Sequence, residues 1–180
     1  MPLTPEFEIK ASRLFEAHDI DDDGYLTGTD YESLAETYRT AVDLDSRRPE
    51  ARNLQQAFDQ WWGALLMSSD GSDERLGPDE FLQSLRSLVS NESRSDLIDS
   101  LPKAVFHALD TDRADRVGHV AFLAATRRLN ILTPRAIRHF KAMDTDGDGY
   151  LSRDELIEAW RKYLVVPDLD HPGGALLGAA

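Results

Sequence analysis

Residues 144–155 read DTDGDGYLSRDE. This stretch has aspartate at its first, third and fifth positions, glycine at the sixth and glutamate at the twelfth. Alternate carboxylates can turn inward toward one cation, while the glycine permits the sharp turn that the chain needs. Like-charged side chains this close together repel one another unless a divalent cation holds them. The segment therefore predicts a calcium-binding loop.

The full pattern assigns a role to six residues of this loop. The predicted ligands are the carboxylates of Asp144, Asp146 and Asp148, the main-chain carbonyl of Tyr150, Ser152 directly or through water, and a bidentate Glu155. Every defined position of the pattern is filled, so the loop is expected to be intact.

A second acidic stretch, residues 19–30, reads DIDDDGYLTGTD and repeats this arrangement except at its end. The predicted ligands are Asp19, Asp21, Asp23, Tyr25, Thr27 and Asp30. Asp30 stands where the pattern has glutamate, and its shorter side chain must draw the loop inward or bind through one oxygen. Because a small, near-octahedral shell of oxygens suits magnesium better than calcium, we predict weakened calcium preference and some magnesium competence here.

The charge of the whole chain agrees with cation binding. Its 180 residues include 33 acidic and 20 basic side chains, a formal net charge of −13, and 10 of the acids fall in the two loops. A run of acids usually marks a solvated face, but repelling carboxylates followed by glycine make a poor helix surface. The acidic balance argues against nucleic acid and against an anionic membrane as partners. The absence of cysteine excludes disulfides, zinc–thiolate sites and iron–sulfur clusters.

Two further segments have the form of loops that have lost ligands. Residues 110–121, DTDRADRVGHVA, have Ala114 at the fifth position and Ala121 at the twelfth. Without the final carboxylate, ordinary calcium binding is not expected there. Residues 69–80, SDGSDERLGPDE, keep the final Glu80 but lack acids at the first and third positions, so whether this loop holds an ion stays open.

With these four loops the chain resembles EF-hand proteins, in which a helix, a loop and a second helix form one unit. The uneven spacing of the loops, which begin at residues 19, 69, 110 and 144, resembles the sarcoplasmic calcium-binding protein and calerythrin family. The resemblance implies an all-α fold of four EF-hand units in two paired lobes that form a compact domain. It also implies that paired loops are bridged through the eighth loop position, which is occupied by Leu26, Leu76, Val117 and Leu151.

This resemblance divides the chain into three parts. Residues 1–92 are expected to form the N-terminal pair, with hand 1 active and hand 2 degenerate. Residues 93–166 are expected to form the C-terminal pair, with hand 3 degenerate and hand 4 active. Residues 167–180 form the tail.

The tail departs from the helical pattern. It reads PDLDHPGGALLGAA, and its prolines and adjacent glycines cannot continue a helix. One interpretation is a disordered terminus. The other is an apolar plug, in which Leu169, Leu176 and Leu177 fill the groove of a calcium-loaded lobe.

The sequence favours a protein that is not an enzyme. Its five histidines are scattered, and it contains no phosphate-binding glycine loop or nucleophile motif. Its 3 methionines, one of them Met1, cannot line the adaptable grooves of a promiscuous calcium sensor. We therefore predict an intracellular calcium buffer or signal modulator that acts through loops 19–30 and 144–155. The alternative is a calcium sensor that opens on binding and regulates a partner protein.

The remaining expectations concern partners and location. Calcium ions are the expected partner, a regulated protein partner stays open, and a monomer is expected. Residues 1–10 lack the basic and apolar regions of a secretory signal. No apolar run approaches the ~20 residues of a membrane span, so a cytoplasmic protein is predicted.

The shorter side chain of Asp30 should change the ion preference of loop 19–30. In a calcium titration with and without millimolar magnesium, we expect magnesium to compete more strongly at loop 19–30 than at loop 144–155, because the smaller shell suits the smaller ion. Equal calcium affinities of the two loops in the presence of magnesium would contradict this interpretation.

Overall fold

A computed structural model describes residues 4–69 and 74–179. The elements in chain order are α1 (Pro5–His18), β1 (Leu26–Thr27), α2 (Gly28–Ala41), α3 (Pro49–Leu66), β2 (Arg75–Leu76), α4 (Pro78–Ser90), α5 (Ser95–Leu109), β3 (Val117–Gly118), α6 (His119–Arg128), α7 (Thr133–Met143), β4 (Tyr150–Leu151) and α8 (Arg153–Val165). Two short 3₁₀ helices span Glu92–Arg94 and Pro172–Leu177. Within the described ranges, no helix combines the length and the apolar character that crossing a membrane requires. The predicted all-α class is confirmed.

Local sequence signals explain where the helices begin. Proline is the first residue of α1, α3 and α4, where its fixed φ suits the first turn and its missing N–H has no helical partner to lose. The Thr4 hydroxyl caps α1 by accepting a hydrogen bond from the Phe7 N–H at 3.4 Å. Ser152 and Glu155 form a reciprocal capping box at the start of α8. These signals place helices on both sides of the acidic loops.

Two antiparallel strand bridges join the four loops in pairs. Leu26 of β1 lies opposite Leu76 of β2, and Val117 of β3 lies opposite Leu151 of β4. All four of these side chains are fully buried. Hand 1 is therefore paired with hand 2, and hand 3 with hand 4, through the eighth loop position as predicted.

Helices from both loop pairs contribute to one hydrophobic core. Trp61 of α3 and Trp160 of α8 are each 1% exposed, and their rings meet edge to face with centroids 5.8 Å apart. Such aromatic pairs contribute about 0.5–1.5 kcal/mol beyond the area that they bury. Because α3 belongs to hand 2 and α8 to hand 4, the contact joins the two pairs into a compact domain.

A buried lysine joins helices from the two ends of the chain. Lys10 of α1 is 3% exposed, and its ammonium donates hydrogen bonds to the main-chain carbonyls of Tyr163, at 2.7 Å, and Val166. These carbonyls lie at the C-terminal end of α8, where the helix dipole favours a cation. Burial lowers the pKa of Lys10 below its ordinary value, while the charge of Asp168 opposes that shift. The contact holds the first helix of hand 1 against the last helix of hand 4.

The described part of the tail, residues 167–179, packs against the helices. The expectation of a disordered terminus is therefore wrong for this part. Its 3₁₀ helix lies against α7, α8 and α1. Ala175, Leu176 and Leu177 are at most 3% exposed, and both leucines line a small internal space together with Trp160. The tail thus fills the groove between the two helices of hand 4, as the plug interpretation expects.

Two arginines fix the first part of the tail. Arg13 of α1 donates a hydrogen bond to the Leu169 carbonyl at 2.6 Å. Arg135 of α7 forms an ion pair with Asp170 at 2.9 Å. Leu169 is only half-buried, so the apolar contacts of the plug come mainly from Leu176 and Leu177 rather than from all three predicted leucines.

Close packing explains the adjacent glycines of the tail. A Cβ atom on Gly173 would lie 2.0 Å from the carbonyl oxygen of Ala159, and one on Gly174 would lie 2.6 Å from a ring carbon of Tyr163. Both distances are far shorter than van der Waals contact. Only glycine therefore lets the tail backbone approach α8 this closely.

We expect Gly173→Ala to push the tail away from α8. The free energy of unfolding should fall by about 1–3 kcal/mol, the usual cost of overpacking. Urea unfolding followed by far-ultraviolet circular dichroism measures the change.

Gly63→Ala is the matched control for this prediction. Gly63 lies inside α3, and a Cβ atom added there would have no neighbouring atom within 4 Å. Alanine is favoured over glycine in a helix interior by roughly 0.5–1 kcal/mol, so this variant should be more stable than the parent. A Gly173→Ala protein as stable as the parent would contradict the close contact of the tail.

Candidate metal centres

Three carboxylates converge in loop 144–155. Asp144, Asp146 and Asp148 each offer an oxygen atom, and these oxygens lie within 4.8 Å of one another. Oxygens that share one calcium ion at about 2.4 Å can be no more than about 4.8 Å apart. The structure therefore brings the first, third and fifth predicted ligands together in an all-oxygen arrangement that fits one hard cation.

Main-chain N–H groups orient these carboxylates. Asp144 accepts hydrogen bonds from the N–H groups of Gly147, at 2.8 Å, and Gly149, at 3.1 Å. Both glycines adopt positive φ, +74° and +84°, which L side chains rarely adopt. Asp148 accepts a hydrogen bond from the Tyr150 N–H at 2.8 Å. The tight turn thus directs N–H groups at the same side chains that form the cluster.

Glu155, the predicted bidentate ligand, does not belong to the three-carboxylate cluster. Its carboxylate accepts hydrogen bonds from the Thr145 N–H at 2.7 Å and the Ser152 N–H at 2.9 Å, and from the hydroxyl groups of both residues. Desolvation alone would raise the pKa of Glu155, but the hydrogen bonds from Ser152 and Thr145 outweigh it and hold the pKa below its usual value. The side chain is therefore ionised and anchored at the edge of the loop. To bind an ion through both carboxylate oxygens, Glu155 would have to give up some of these hydrogen bonds.

Loop 19–30 has a different cluster. The carboxylates of Asp19, Asp21 and Asp30 offer oxygens within 4.8 Å of one another. Asp30 is 3% exposed and accepts hydrogen bonds from the N–H groups of Ile20, at 3.0 Å, and Thr27, at 2.8 Å. The Thr27 hydroxyl also donates to Asp30, at 2.7 Å. The shorter twelfth side chain thus joins the cluster, whereas the longer Glu155 of the other loop does not.

The other predicted ligands of loop 19–30 lie beside this cluster. Asp23 is not one of the three clustered carboxylates, and it accepts a hydrogen bond from the Tyr25 N–H at 2.8 Å. Asp19 accepts hydrogen bonds from the N–H groups of Asp23, at 3.1 Å, and Gly24, at 2.9 Å. The first carboxylate therefore organises this turn in the same way as Asp144 organises the other one.

The electrostatics of loop 19–30 favour a cation. Local desolvation first, and then the charges of Asp23 and Asp30, raise the pKa of Asp21 above its ordinary value. A bound dication would reverse this effect because it favours the charged form of each carboxylate. His18, which precedes Asp19, is buried, and burial lowers its pKa to about 4. Its ring is therefore neutral at pH 7 and adds no opposing positive charge.

Loop 110–121 keeps the backbone of a binding loop but has an incomplete set of ligands. Asp110 accepts hydrogen bonds from the N–H groups of Ala114, at 3.0 Å, and Asp115, at 3.1 Å. Arg113 and Asp115, at the fourth and sixth positions, have φ of +57° and +55°, as both intact loops have positive φ at these positions. Among the residues that the structure describes, no cluster of three carboxylates forms in this loop.

Loop 69–80 is described only in part. Residues 70–73, on which the question of an ion in hand 2 depends, lie outside the described residues. Glu80 accepts a hydrogen bond from the Gly77 N–H at 2.9 Å, the contact that Glu155 makes with Ser152 in the intact loop.

Two arginines next to the binding loops were missed by the sequence reasoning. The guanidinium of Arg75 lies over the ring of Tyr25, 4.2 Å from its centroid, and that of Arg116 lies 3.8 Å from the ring centroid of Tyr150. Both arginines stand at the seventh position of a degenerate loop, followed by an aliphatic residue and glycine. This shared pattern of arginine, aliphatic residue and glycine is the sequence feature that could have identified them.

A known family model matches the region around loop 144–155. Residues 140–163 match the family model of the EF hand domain. The fold, the two strand bridges and the acidic loops thus define an EF-hand calcium-binding protein. The chain is similar to calerythrin of Saccharopolyspora erythraea, with 25% identity over 158 residues that cover 86% of this chain and 89% of calerythrin.

Solved structures share the fold. A Streptomyces coelicolor calcium-binding protein, which acts in prokaryotic calcium-mediated regulation, has a TM-score of 0.77 at 23% identity, and the match covers 90% of this chain and 99% of that protein's chain. Calcium-loaded apo-aequorin from Aequorea victoria has a TM-score of 0.75 at 17% identity, covering 92% of this chain and 93% of its own. Apo-berovin of a ctenophore, whose three calcium-binding loops bind magnesium, has a TM-score of 0.71 at 17% identity, covering 91% and 89%. The predicted EF-hand fold and the resemblance to calerythrin are confirmed, and these relatives are calcium-binding proteins.

Glu155→Gln tests the role of loop 144–155. We expect the variant to bind one calcium ion fewer than the parent, because an amide offers one neutral oxygen in place of a carboxylate. Native mass spectrometry of calcium-loaded protein counts the ions. Glu158→Gln removes the same charge from α8, where Glu158 pairs with Lys162 at 3.3 Å, and should keep the parental count. An unchanged count in Glu155→Gln would rule out this ligand assignment.

Proposed function

We propose that the protein binds calcium through loops 19–30 and 144–155 and acts as an intracellular calcium buffer or signal modulator. The proposed ligands are Asp19, Asp21, Asp23, Tyr25, Thr27 and Asp30 in the first loop, and Asp144, Asp146, Asp148, Tyr150, Ser152 and Glu155 in the second. In this proposal the chain is organised as an N-terminal pair, residues 1–92, a C-terminal pair, residues 93–166, and the tail. Two bound dications would bring the formal net charge from −13 to about −9 by simple addition.

The observation that carries the choice of a buffer is the tail in the groove of hand 4. A calcium sensor exposes an apolar groove between its two helices, and a partner helix then fills it. Here the groove between α7 and α8 already holds Ala175, Leu176 and Leu177. Opening would require this buried apolar surface to enter water, which is unfavourable by about 25 cal/mol per Å². A hand sealed in this way can bind an ion while changing shape little.

The Lys10 contact supports the same conclusion. Its hydrogen bonds to the Tyr163 and Val166 carbonyls tie the end of α8 to α1. Swinging α8 outward would break two bonds to a charged group, each worth about 1.5–3 kcal/mol. The rigid contact between Trp61 and Trp160 opposes the same motion.

Magnesium competence is part of the proposal for loop 19–30. Asp30 is shorter than glutamate and already lies in the cluster with Asp19 and Asp21. A compact oxygen cluster favours the smaller ion, which prefers near-octahedral geometry.

A calcium sensor is the second candidate. The observation that favours it is the position of the tail, which touches both helices of hand 4. Its regular structure is one short 3₁₀ helix, a small element for a moving helix to displace. In this alternative, ion binding in loop 144–155 displaces the tail and exposes the groove to a regulated protein partner. The Streptomyces coelicolor relative, linked to calcium-mediated regulation, is consistent with it.

We further propose that the protein is a cytoplasmic monomer that is not an enzyme and binds neither nucleic acid nor membranes. The net charge of −13 disfavours anionic partners. Among the described residues, the carboxylates that form groups of three lie in the two loops, where cation binding relieves their repulsion.

Dye binding and small-angle scattering separate the two candidates. For a buffer, calcium should leave the radius of gyration of the full chain unchanged and 1-anilinonaphthalene-8-sulfonate fluorescence low, because the groove stays filled. A chain ending at residue 166 should bind more dye than the full chain, since the groove is then uncovered.

Leu176→Asp serves as a second disruption of the plug that keeps the tail length. It should also raise dye fluorescence, because a charge cannot remain in the apolar groove. Far-ultraviolet circular dichroism checks that both variants keep their helices. A calcium-dependent rise of dye fluorescence in the full chain, with a larger radius, would support the sensor and contradict the buffer.

A further inference from the structure

The degenerate loops present the same side chain to both intact loops. Arg75, at the seventh position of loop 69–80, lies over the ring of Tyr25, and Arg116, at the seventh position of loop 110–121, lies over the ring of Tyr150. Each tyrosine is itself the seventh residue of an intact loop. The arrangement therefore occurs independently in both pairs.

The register of the strand bridges produces this contact. Thr27 lies opposite Arg75 in the first bridge, and Gly118 lies opposite Tyr150 in the second. A Cβ atom on Gly77 or Gly118 would lie 3.9 Å from the facing tyrosine ring. Each ring thus lies over a glycine of the degenerate loop, while the neighbouring arginine covers its face.

The seventh residue is a sensitive position for the ion. Its main-chain carbonyl is a proposed ligand. Its N–H donates to the carboxylate at the fifth position, from Tyr25 to Asp23 and from Tyr150 to Asp148, each at 2.8 Å. Fixing the tyrosine therefore fixes two proposed ligands together.

We propose that Arg75 and Arg116 are positioning residues for calcium binding, which hold the seventh residue of the paired intact loop by stacking on its tyrosine ring. This inference rests on the proposed function of loops 19–30 and 144–155. The planar guanidinium can lie flat on the ring, which a lysine ammonium cannot do. Hands 2 and 3, whose sets of ligands are incomplete, thus keep a role in the neighbouring site.

The charge of the arginines alone would act in the opposite direction. A cation near the loop repels calcium and weakens its binding, although solvent and salt screen this effect at an exposed position. Positioning predicts that loss of arginine weakens calcium binding, whereas charge repulsion predicts that it strengthens it. The sign of the change therefore distinguishes the two effects.

Calcium titration of full-length arginine variants tests the proposal. Arg75→Leu should weaken binding at loop 19–30 roughly two- to fivefold, the value of an exposed cation–π contact, and leave loop 144–155 unchanged. Arg116→Leu should show the reverse selectivity. To assign each affinity to one loop, Arg75→Leu is combined with Glu155→Gln, and Arg116→Leu is combined with Asp30→Asn. Each double variant is compared with the protein that carries only the loop substitution.

Lysine variants and an unstacked arginine provide the controls. Arg75→Lys and Arg116→Lys keep the charge and a cation–π contact but lose the planar stack, so they should weaken binding less than the leucine variants do. Arg153, the tenth residue of loop 144–155, is half-exposed, and its one ion pair among the described residues is with Asp154, at 3.8 Å. Arg153→Leu removes a similar charge without removing a stack, and it should leave calcium affinity unchanged or slightly raised.

The outcomes separate this inference from the proposed function. Tighter calcium binding in the leucine variants, or unchanged affinity at the paired loop, would overturn the positioning role while leaving the calcium sites in place. Calcium binding by neither intact loop in the parent protein would overturn the proposed function itself. Thermal unfolding in chelator checks that the arginine variants fold, and the lysine variants carry the test if a leucine variant does not.

Discussion

The packing of the helices rests on the antiparallel bridge that joins each intact loop to a loop with an incomplete set of ligands. Leu26 faces Leu76 and Val117 faces Leu151, and all four are fully buried. The bridge fixes the relative position of four helices in each pair, and hence the apolar faces that form the common core. The degenerate hands thereby have a structural role, since their aliphatic residue at the eighth position is buried in the bridge.

The intact loops were largely predictable from sequence because their determinants are local. Asp144, Asp146 and Asp148 lie close together in space because they lie two residues apart in a tight turn. The all-α class and the pairing of loops were implied by the resemblance to EF-hand proteins that this pattern carries. The exact set of clustered carboxylates was not predictable. It depends on where nearby N–H donors hold the side chains of Glu155 and Asp30.

The remaining features depend on contacts between distant parts of the chain. Gly173 and Gly174 are helix-breaking residues by local criteria, and only the approach of the tail to Ala159 and Tyr163 shows that they are required for packing. Lysine is usually exposed, so the sequence suggests that Lys10 lies at the surface. It is instead buried against α8, more than 150 residues away in sequence. No periodicity within α1 could reveal these partners.

The way in which the hands are paired bears on the shape of the calcium response. Each bridge joins one intact loop to one degenerate loop, so the two intact loops share no strand through which occupation of one could order the other. Coupling between them must pass through the helices and the common core instead. We therefore expect little cooperativity, with a graded uptake over a broad range of calcium concentration in place of a steep threshold.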